Sequence, residues 1–368
     1  MNENLKNIIS QFKISGKIIS IEAHGNGIIN NTFVVTCEIN NKMYEKYLFQ
    51  KINTNAFKDP FRLMRNIEKV TNFIENKIKS SKRPFLRVIL TKNNTCLYEH
   101  CDDFGNKEYY RAYNFIEDSS VYNKSTDPII IYNAAKAFGN FQKMLIDYPI
   151  EDIEETIPNF HNTKERYKNF IKDIECDIKK RVSTITKEIE VIIKNQDKCN
   201  LLVDLLDKNI LKERVIHNDT KINNVLMNKN TNDFLTVIDL DTVMLGTPLY
   251  DYGDGVRSAC SAVIKNDQNP NSITIDMELF KYYTDGYLSE MANYLSQVEI
   301  NYLADSILIM TLELAIRFLN DYINGDTYFK IDYPDHNLVR ARNQLNLFKE
   351  IESKLPLMRE YITETINK

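Results

Sequence analysis

Two neighbouring stretches, "VIHNDTKINNVL" (215–226) and "LTVIDLDTVMLG" (235–246), concentrate groups able to do chemistry. Between apolar runs they set His217, Asp219, Lys221, Asn224, Asp239 and Asp241. Acids beside strand-like apolar runs must be paired, exposed in a cleft or bound to metal, because an isolated buried carboxylate is costly. An aspartate beside a hydroxyl can accept its proton as the oxygen attacks phosphorus. Asparagine and aspartate oxygens are hard donors suited to magnesium, and a second carboxylate can bridge metal to phosphates. The set points to phosphoryl transfer.

The spacing sharpens this. His217, Asp219 and Asn224 fit H-x-D-x-x-x-x-N, the catalytic-loop pattern of phosphoryl-transfer enzymes of the protein-kinase type, and Lys221 matches the lysine position common in that loop. Asp219 is expected as the catalytic base and substrate contact, with Lys221 beside it, and Asn224 and Asp239 as metal ligands. "VLM" (225–227) and "FLTVI" (234–238) read as strands joined by the polar turn "NKNTND", so Asn224 and Asp239 should meet at the open end of a hairpin. His217 is expected to fix the loop through hydrogen bonds. Asp241 is either a second metal contact or a loop anchor. Asp251 and Asp254, in "YDYGDGVRSAC", are expected to cap a helix and hold the loop.

Those side chains need a scaffold. Residues 14–116 carry β-type runs, "KIISIEA", "NTFVVTCEI", "YEKYLFQKI", "LRVILT" and "YRAYNFI", with turns rich in Asn and Gly. One segment interrupts them: "DPFRLMRNIEKVTNFIENKI" starts Asp-Pro and places Leu63, Ile67, Val70 and Ile74 on one helical face. Residues 128–210 and 277–365 read as helical. The expected fold is α+β and two-lobed: a small antiparallel β lobe with one helix over 1–117, and a large, mostly helical lobe over 118–368. Strands, one helix, then more strands resembles the small lobe of a kinase. Gly25 and Gly27 would form either a phosphate-covering loop or a plain hairpin turn. Lys51 would touch phosphates and pair with Glu68, unless Gln50 takes the inward position by strand alternation. "YNFIED" (113–118), with Glu117, would form the hinge whose backbone meets adenine.

Bulk properties set bounds. With 43% apolar and 27% charged residues, most of the chain should fold. A net charge of −4 argues against a general nucleic-acid binder, though not against a local basic pocket. The six cysteines are scattered, none forms CxxC, and they read as thiols of a reducing compartment. The N-terminus lacks an apolar core long enough for a signal peptide, and no run of 18 apolar residues suggests a membrane span. A cytoplasmic protein without a membrane or nucleic-acid partner is expected; the oligomeric state is left open.

"HNDTKINN" with "VIDLDTVMLG" resembles the aminoglycoside phosphotransferase/choline kinase superfamily, and more closely the bacterial N-acetylhexosamine 1-kinases. "GNGIINNTF", "QKINTNAFKDP", "NIEKVT", "YRAYNFIED" and "FLNDYINGDTYFKI" through "HNLVRARNQ" are similar to blocks of that family, over nearly the whole chain. The resemblance implies a protein-kinase-like fold, ATP and Mg2+ as cofactors, and phosphorylation of the anomeric hydroxyl of GlcNAc or GalNAc. It implies that Arg317 and Tyr328 hold the sugar. The chain departs at Ile28, where a histidine is frequent, and at Asn31, where an acid is frequent, which leaves sugar preference open. Arg317 sits in an apolar helical stretch, where a buried arginine needs a partner: it points into the cleft or bridges to Asp321 at i,i+4. Tyr328 is otherwise a packed aromatic. The rival readings are another small-molecule kinase of the superfamily, acting on choline, an amino alcohol, methylthioribose or an aminoglycoside, and a nucleotide-binding pseudokinase scaffold.

Overall fold

A computed structural model describes residues 3–24, 30–40, 43–78, 83–263 and 273–368. The chain opens with a short helix, α1 (Glu3–Ile9), and three strands, β1 (Lys17–Ala23), β2 (Asn31–Asn40) and β3 (Met43–Lys51). A long helix, α2 (Pro60–Ile78), follows, then β4 (Tyr98–Cys101) and β5 (Lys107–Asn114). The strands form one antiparallel sheet in the order β1-β2-β3-β5-β4. Alternation sends Val35, Cys37, Tyr47, Phe49 and Ala112 to one face, where Ile8, Ile9 and Phe12 cover them. Leu48 and Tyr113 join the other cluster, which contains the buried face of α2.

The α2 helix forms as its sequence dictates. Asp59 accepts the Arg62 N–H at 2.9 Å, proline occupies the first turn, and Leu63, Ile67, Val70 and Ile74 are all buried. Its polar face is stapled to the large lobe: Arg65 Nε and Nη2 donate to the Glu154 carboxylate at 2.8 and 3.1 Å, and Lys69 pairs with Asp152 at 2.9 Å.

Three elements differ from expectation. "LRVILT" is no strand, since its backbone groups are divided between partners: Ile89 N donates to Ala112 O at 2.8 Å, Leu90 O accepts from Lys13 N at 2.8 Å, and only the bridges Val88–Tyr113 and Phe12–Thr91 form. The helix α1 has seven residues, too few to show a period. The strand β4, "YEHC", has only four residues and mixes charge with aromatics, so its alternation is too short to be read from sequence.

The chain leaves the small sheet at Asn114 and enters β6 (Ser119–Ser120). The large lobe then contains α3 (Pro128–Met144), α4 (Thr163–Cys176), α5 (Thr186–Lys194), α6 (Gln196–Asp207), β7 (Arg214–Ile216), β8 (Val225–Asn228), β9 (Phe234–Val237) and β10 (Met244–Gly246). It continues through α7 (Pro248–Ala259), β11 (Ser261–Val263), β12 (Ile273–Ile275), α8 (Met277–Met291), α9 (Gln297–Asn324) and α10 (His336–Ile366). The β6-β8-β9 sheet ties the lobe crossing to the hairpin, and β7 pairs with β10. Among the described residues no helix is long and apolar enough to cross a membrane.

The helical core is packed through small residues. A Cβ at Gly286 of α8 would sit 2.2 Å from the Tyr132 carbonyl oxygen of α3, and one at Gly253 of α7 would sit 2.5 Å from Ser306 O of α9. The α9 helix starts with a capping box, Ser296 with Glu299, and stops at Gly325, whose φ of 97° suits glycine.

Gly286→Ala should therefore destabilise the protein by about 1–3 kcal/mol, since the added methyl meets backbone that cannot swing away. Chemical denaturation of the two proteins checks this, and an unchanged midpoint would contradict the close approach.

Candidate active site

The 217–224 loop leaves β7 and is fastened at every residue that matters. Asp251, buried on α7, accepts the His217 N–H at 2.9 Å and the Asn218 N–H at 2.7 Å. Gln142 of α3 donates to the same carboxylate at 2.7 Å. The His217 Nε2–H donates to the Ile238 carbonyl at 2.9 Å, its Nδ1 accepts from Asp219 N at 3.2 Å, and its ring sits edge-on between Phe138 and Phe141. Asn218, at a φ of 64°, donates to Thr242 O at 3.0 Å. His217 and Asp251 thus hold backbone, and Asp219 is left facing outward from a rigid loop.

The β8–β9 hairpin brings the remaining oxygens in. Ile238 N donates to Asn224 O at 2.8 Å, so Asn224 and Asp239 stand at the same open end. The Asn224 amide nitrogen donates to Asp219 Oδ2 at 3.0 Å and to Asp219 O at 2.8 Å, which leaves its amide oxygen to coordinate a cation. Lys221 Nζ lies 2.7 Å from Asp219 Oδ1. Asp254 pairs with Arg257 at 2.7 Å; burial works against its charge, yet Arg257 and Lys221 hold its carboxyl below the usual range.

Asp239 has no such relief. Burial first, then Asp241 and Asp219, push its carboxyl up to about 7, with Arg111 and Lys221 only partly offsetting them. An excess of negative charge with hard oxygen donors is a fit for a small divalent cation. Among the described residues no three His, Cys, Asp or Glu side chains converge into a metal cage. A two-residue Asn-and-Asp site is what magnesium carried by substrate phosphates takes. Asp241 is committed elsewhere: Arg111 of β5, 1% exposed, donates to both its oxygens, one bond at 3.0 Å, and the Asn30 amide donates to Oδ2 at 2.8 Å.

The small-lobe expectations need one correction. Lys51 does not meet Glu68. It lies in register with Asn31 and Tyr110 on the α1 side of the sheet and pairs with Glu108, while Glu68 contacts the Cys96 thiol. Gln50 takes the inward face instead, accepting from Arg111 Nε at 2.9 Å and donating to Thr32 at 3.1 Å. Alternation makes it so: Thr32, Gln50 and Arg111 form one cross-strand row. Glu117 is exposed at the crossing, 3.2 Å from Lys46. Gly25, Gly27 and Ile28 lie outside the described residues.

Beyond Asp219 lies a second cluster. His161 donates Nε2–H to the Asn218 carbonyl at 3.0 Å, and its Nδ1 meets Glu313 at 3.0 Å. Burial resists its charge, but Glu313 holds the imidazole above its usual range. Arg166 and Arg317 approach the same carboxylate at 3.3 and 3.7 Å. Arg317 therefore pairs with Glu313 on the preceding turn, not with Asp321, and its guanidinium lies over Phe160 and Phe329 at 5.3 and 5.7 Å. Asp321 instead caps the following loop, accepting the N–H groups of Thr327, Tyr328 and Phe329 at 2.8–2.9 Å. That loop presents Tyr328 outward, 69% exposed. Sequence reasoning missed Arg111, Asn30, His161 and Glu313. An arginine inside the aromatic run "EYYRAYN" was the available signal for the first, since buried arginine needs an acid.

Residues 83–291 match a family described as the phosphotransferase enzyme family. The chain belongs to it. The fold of this phosphotransferase is similar to solved structures at low identity. An aminoglycoside phosphotransferase from Alicyclobacillus acidocaldarius superposes with a TM-score of 0.62 at 12% identity, over 98% of this chain and 96% of the other. An amicoumacin kinase in complex with AMP-PNP and Ca2+ gives 0.60 at 13%, over 96% and 94%. A microcompartment-associated aminopropanol kinase gives 0.59 at 13%, over 99% and 98%. These likenesses establish the two-lobed, kinase-like fold of the phosphotransferase.

In metal-free buffer the charge on Asp239 should be visible as a pH-dependent cost. Unfolded, it titrates at the ordinary 3.8; folded, at about 7. The folded state therefore holds the proton longer, and the cost is absent below the first value and complete above the second. Asp239→Asn should be more stable than the parent at pH 8, by an amount on the order of a few kcal/mol, with the advantage vanishing towards pH 4. Thermal melts across that range check it, and equal melting temperatures at pH 8 would contradict it.

Proposed function

We propose that this phosphotransferase is a small-molecule kinase that moves the γ-phosphate of ATP, with Mg2+, onto the anomeric hydroxyl of an N-acetylhexosamine. The observation that carries phosphoryl transfer is the convergence of Asp219, Asn224 and Asp239 at the open end of one hairpin. Asp219 is the base. Its two oxygens are steadied by Lys221 and Asn224, so it faces the acceptor in one orientation and takes the hydroxyl proton as the oxygen attacks phosphorus and ADP departs. When bound, magnesium would neutralise phosphate charge, held by the Asn224 amide oxygen and the Asp239 carboxylate. The backbone of 113–118, including Glu117, would meet adenine.

The acceptor class is supported by charge. Glu313 serves His161, Arg166 and Arg317 at once, so the cluster behind Asp219 offers more positive than negative charge. A cationic acceptor such as choline or an aminoglycoside needs acids or an open aromatic cage. A neutral hydroxylated ring suits aromatic faces beside guanidinium donors, and Arg317 with Tyr328 would hold it.

ADP release with MgATP across GlcNAc, GalNAc, glucose, galactose, choline and kanamycin tests the reading. Turnover is expected with the N-acetylhexosamines, phosphorus NMR should show a 1-phosphate, and a 1-deoxy sugar should be inert. A 6-phosphate product, or turnover only with choline or kanamycin, would overturn the acceptor assignment.

Asp219→Asn should lower turnover by about 10²–10⁴ at saturating substrates, the usual weight of a general base. Steady-state kinetics measure this, and parental turnover would remove Asp219 from the role.

A further inference from the structure

The inward side chain of β3 is Gln50, and the neighbouring turn of α2 presents Met64. The Met64 sulfur lies 3.8 Å from Arg111 Nη1. The cation beside Gln50 therefore comes from β5, and its acid comes from the other lobe. Arg111 spends Nε on Gln50 and both terminal nitrogens on Asp241, two residues beyond Asp239 across a 3-10 turn. Asn30 closes the network, donating to Asp241 Oδ2 and accepting from Asn53 N at 2.9 Å.

Resting on the phosphoryl-transfer reading, we infer that Arg111 is a positioning residue. Its fork draws the Asp241 carboxylate into a cross-lobe clamp and keeps it away from the metal, so that Asp239 and Asn224 alone meet the phosphate-bound ion. Geometry requires the fork. Asp239 and Asp241 leave the same short turn, and a divalent cation offered both would be held by the protein in place of the phosphates. The guanidinium prevents this by matching both Asp241 oxygens at once, which a lysine ammonium cannot do. The same bonds join β5 to the turn that carries Asp239, so lobe position and carboxylate position are set together.

The test measures Mn2+ binding to the nucleotide-free protein by electron paramagnetic resonance, alongside steady-state kinetics. Arg111→Met frees Asp241 and should tighten Mn2+ binding about tenfold or more while turnover falls about 10–10²-fold through misplacement of Asp239. The double variant Arg111→Met/Asp241→Asn should return Mn2+ affinity to the parental value with turnover still low. Arg111→Lys keeps the charge and covers the case in which Arg111→Met does not fold. It should lower kcat about tenfold with the KM for ATP unchanged. A folded Arg111→Met with parental or weaker Mn2+ affinity overturns the inference, as does Arg111→Lys with parental kcat. A parent inactive on every acceptor whose Mn2+ affinity still rises on Arg111→Met would remove the kinase reading and leave the clamp standing.

Discussion

Three carboxylates, Asp219, Asp239 and Asp241, share the junction of the two lobes, and their mutual repulsion is the constraint that the surrounding structure answers. Asp219 is met by Lys221 at 2.7 Å and by the Asn224 amide. Asp241 is met by the fork of a fully buried arginine from the other lobe. Asp239 is met by neither, and burial, then Asp241 and Asp219, raise its carboxyl to about 7. A site that neutralises two of three acids and leaves one short fits the proposed reading, in which a cation would arrive with its own phosphates. Replacing the buried pair by apolar residues would relieve the fold at the expense of that arrangement.

The same logic explains how the 217–224 loop is held in place. Residues 217–219 follow a strand of only three residues and cannot rely on a ladder for order. Order comes from a carboxylate on a helix: Asp251 takes two consecutive backbone N–H groups, and α7 is seated against α9 so closely that Gly253 admits no side chain. His217 then links the loop to the turn that carries Asp239 through Ile238, and Asn218 links it to Thr242. The helical core thus reaches the backbone beside Asp219 through two bonds.

Much of this was legible in the sequence, and the reason is local. The H-x-D-x-x-x-x-N spacing and the hairpin that follows are properties of 25 consecutive residues, 215–239; apolar runs on either side of a polar turn identify β8 and β9, and a period-3.6 pattern identifies α2, without reference to anything distant. What stayed hidden is long-range. Arg111 and Asp241 are 130 residues apart, and His161 and Glu313 are 152 apart. No periodicity couples them. Lys51 was misread for a related reason. Alternation leaves the inward residue ambiguous by one until a cross-strand partner decides it, and that partner, Arg111, lies 61 residues beyond Gln50. Arg317 shows the limit of spacing alone. Asp321 and Glu313 are both four residues away, and the backbone N–H groups of 327–329 claim Asp321 first.

Those N–H groups also bear on what the protein acts upon. Asp321 caps a loop, Asp326 is paired to Arg181 at 2.6 Å, and Glu313 is shared among two arginines and a histidine, so these three acids are already committed. A polycationic acceptor entering here would meet guanidinium groups before it met an available carboxylate, and desolvating that contact is unfavourable. Aromatic faces remain open to it, Phe160 and Phe329 around Arg317 and Tyr328 at the rim, but the Arg317 guanidinium already lies over the first two. On the proposed reading, the acceptor that would lose least on entering such a site is uncharged and rich in hydroxyl and carbonyl oxygens, because it could take hydrogen bonds from Arg317 without displacing Glu313.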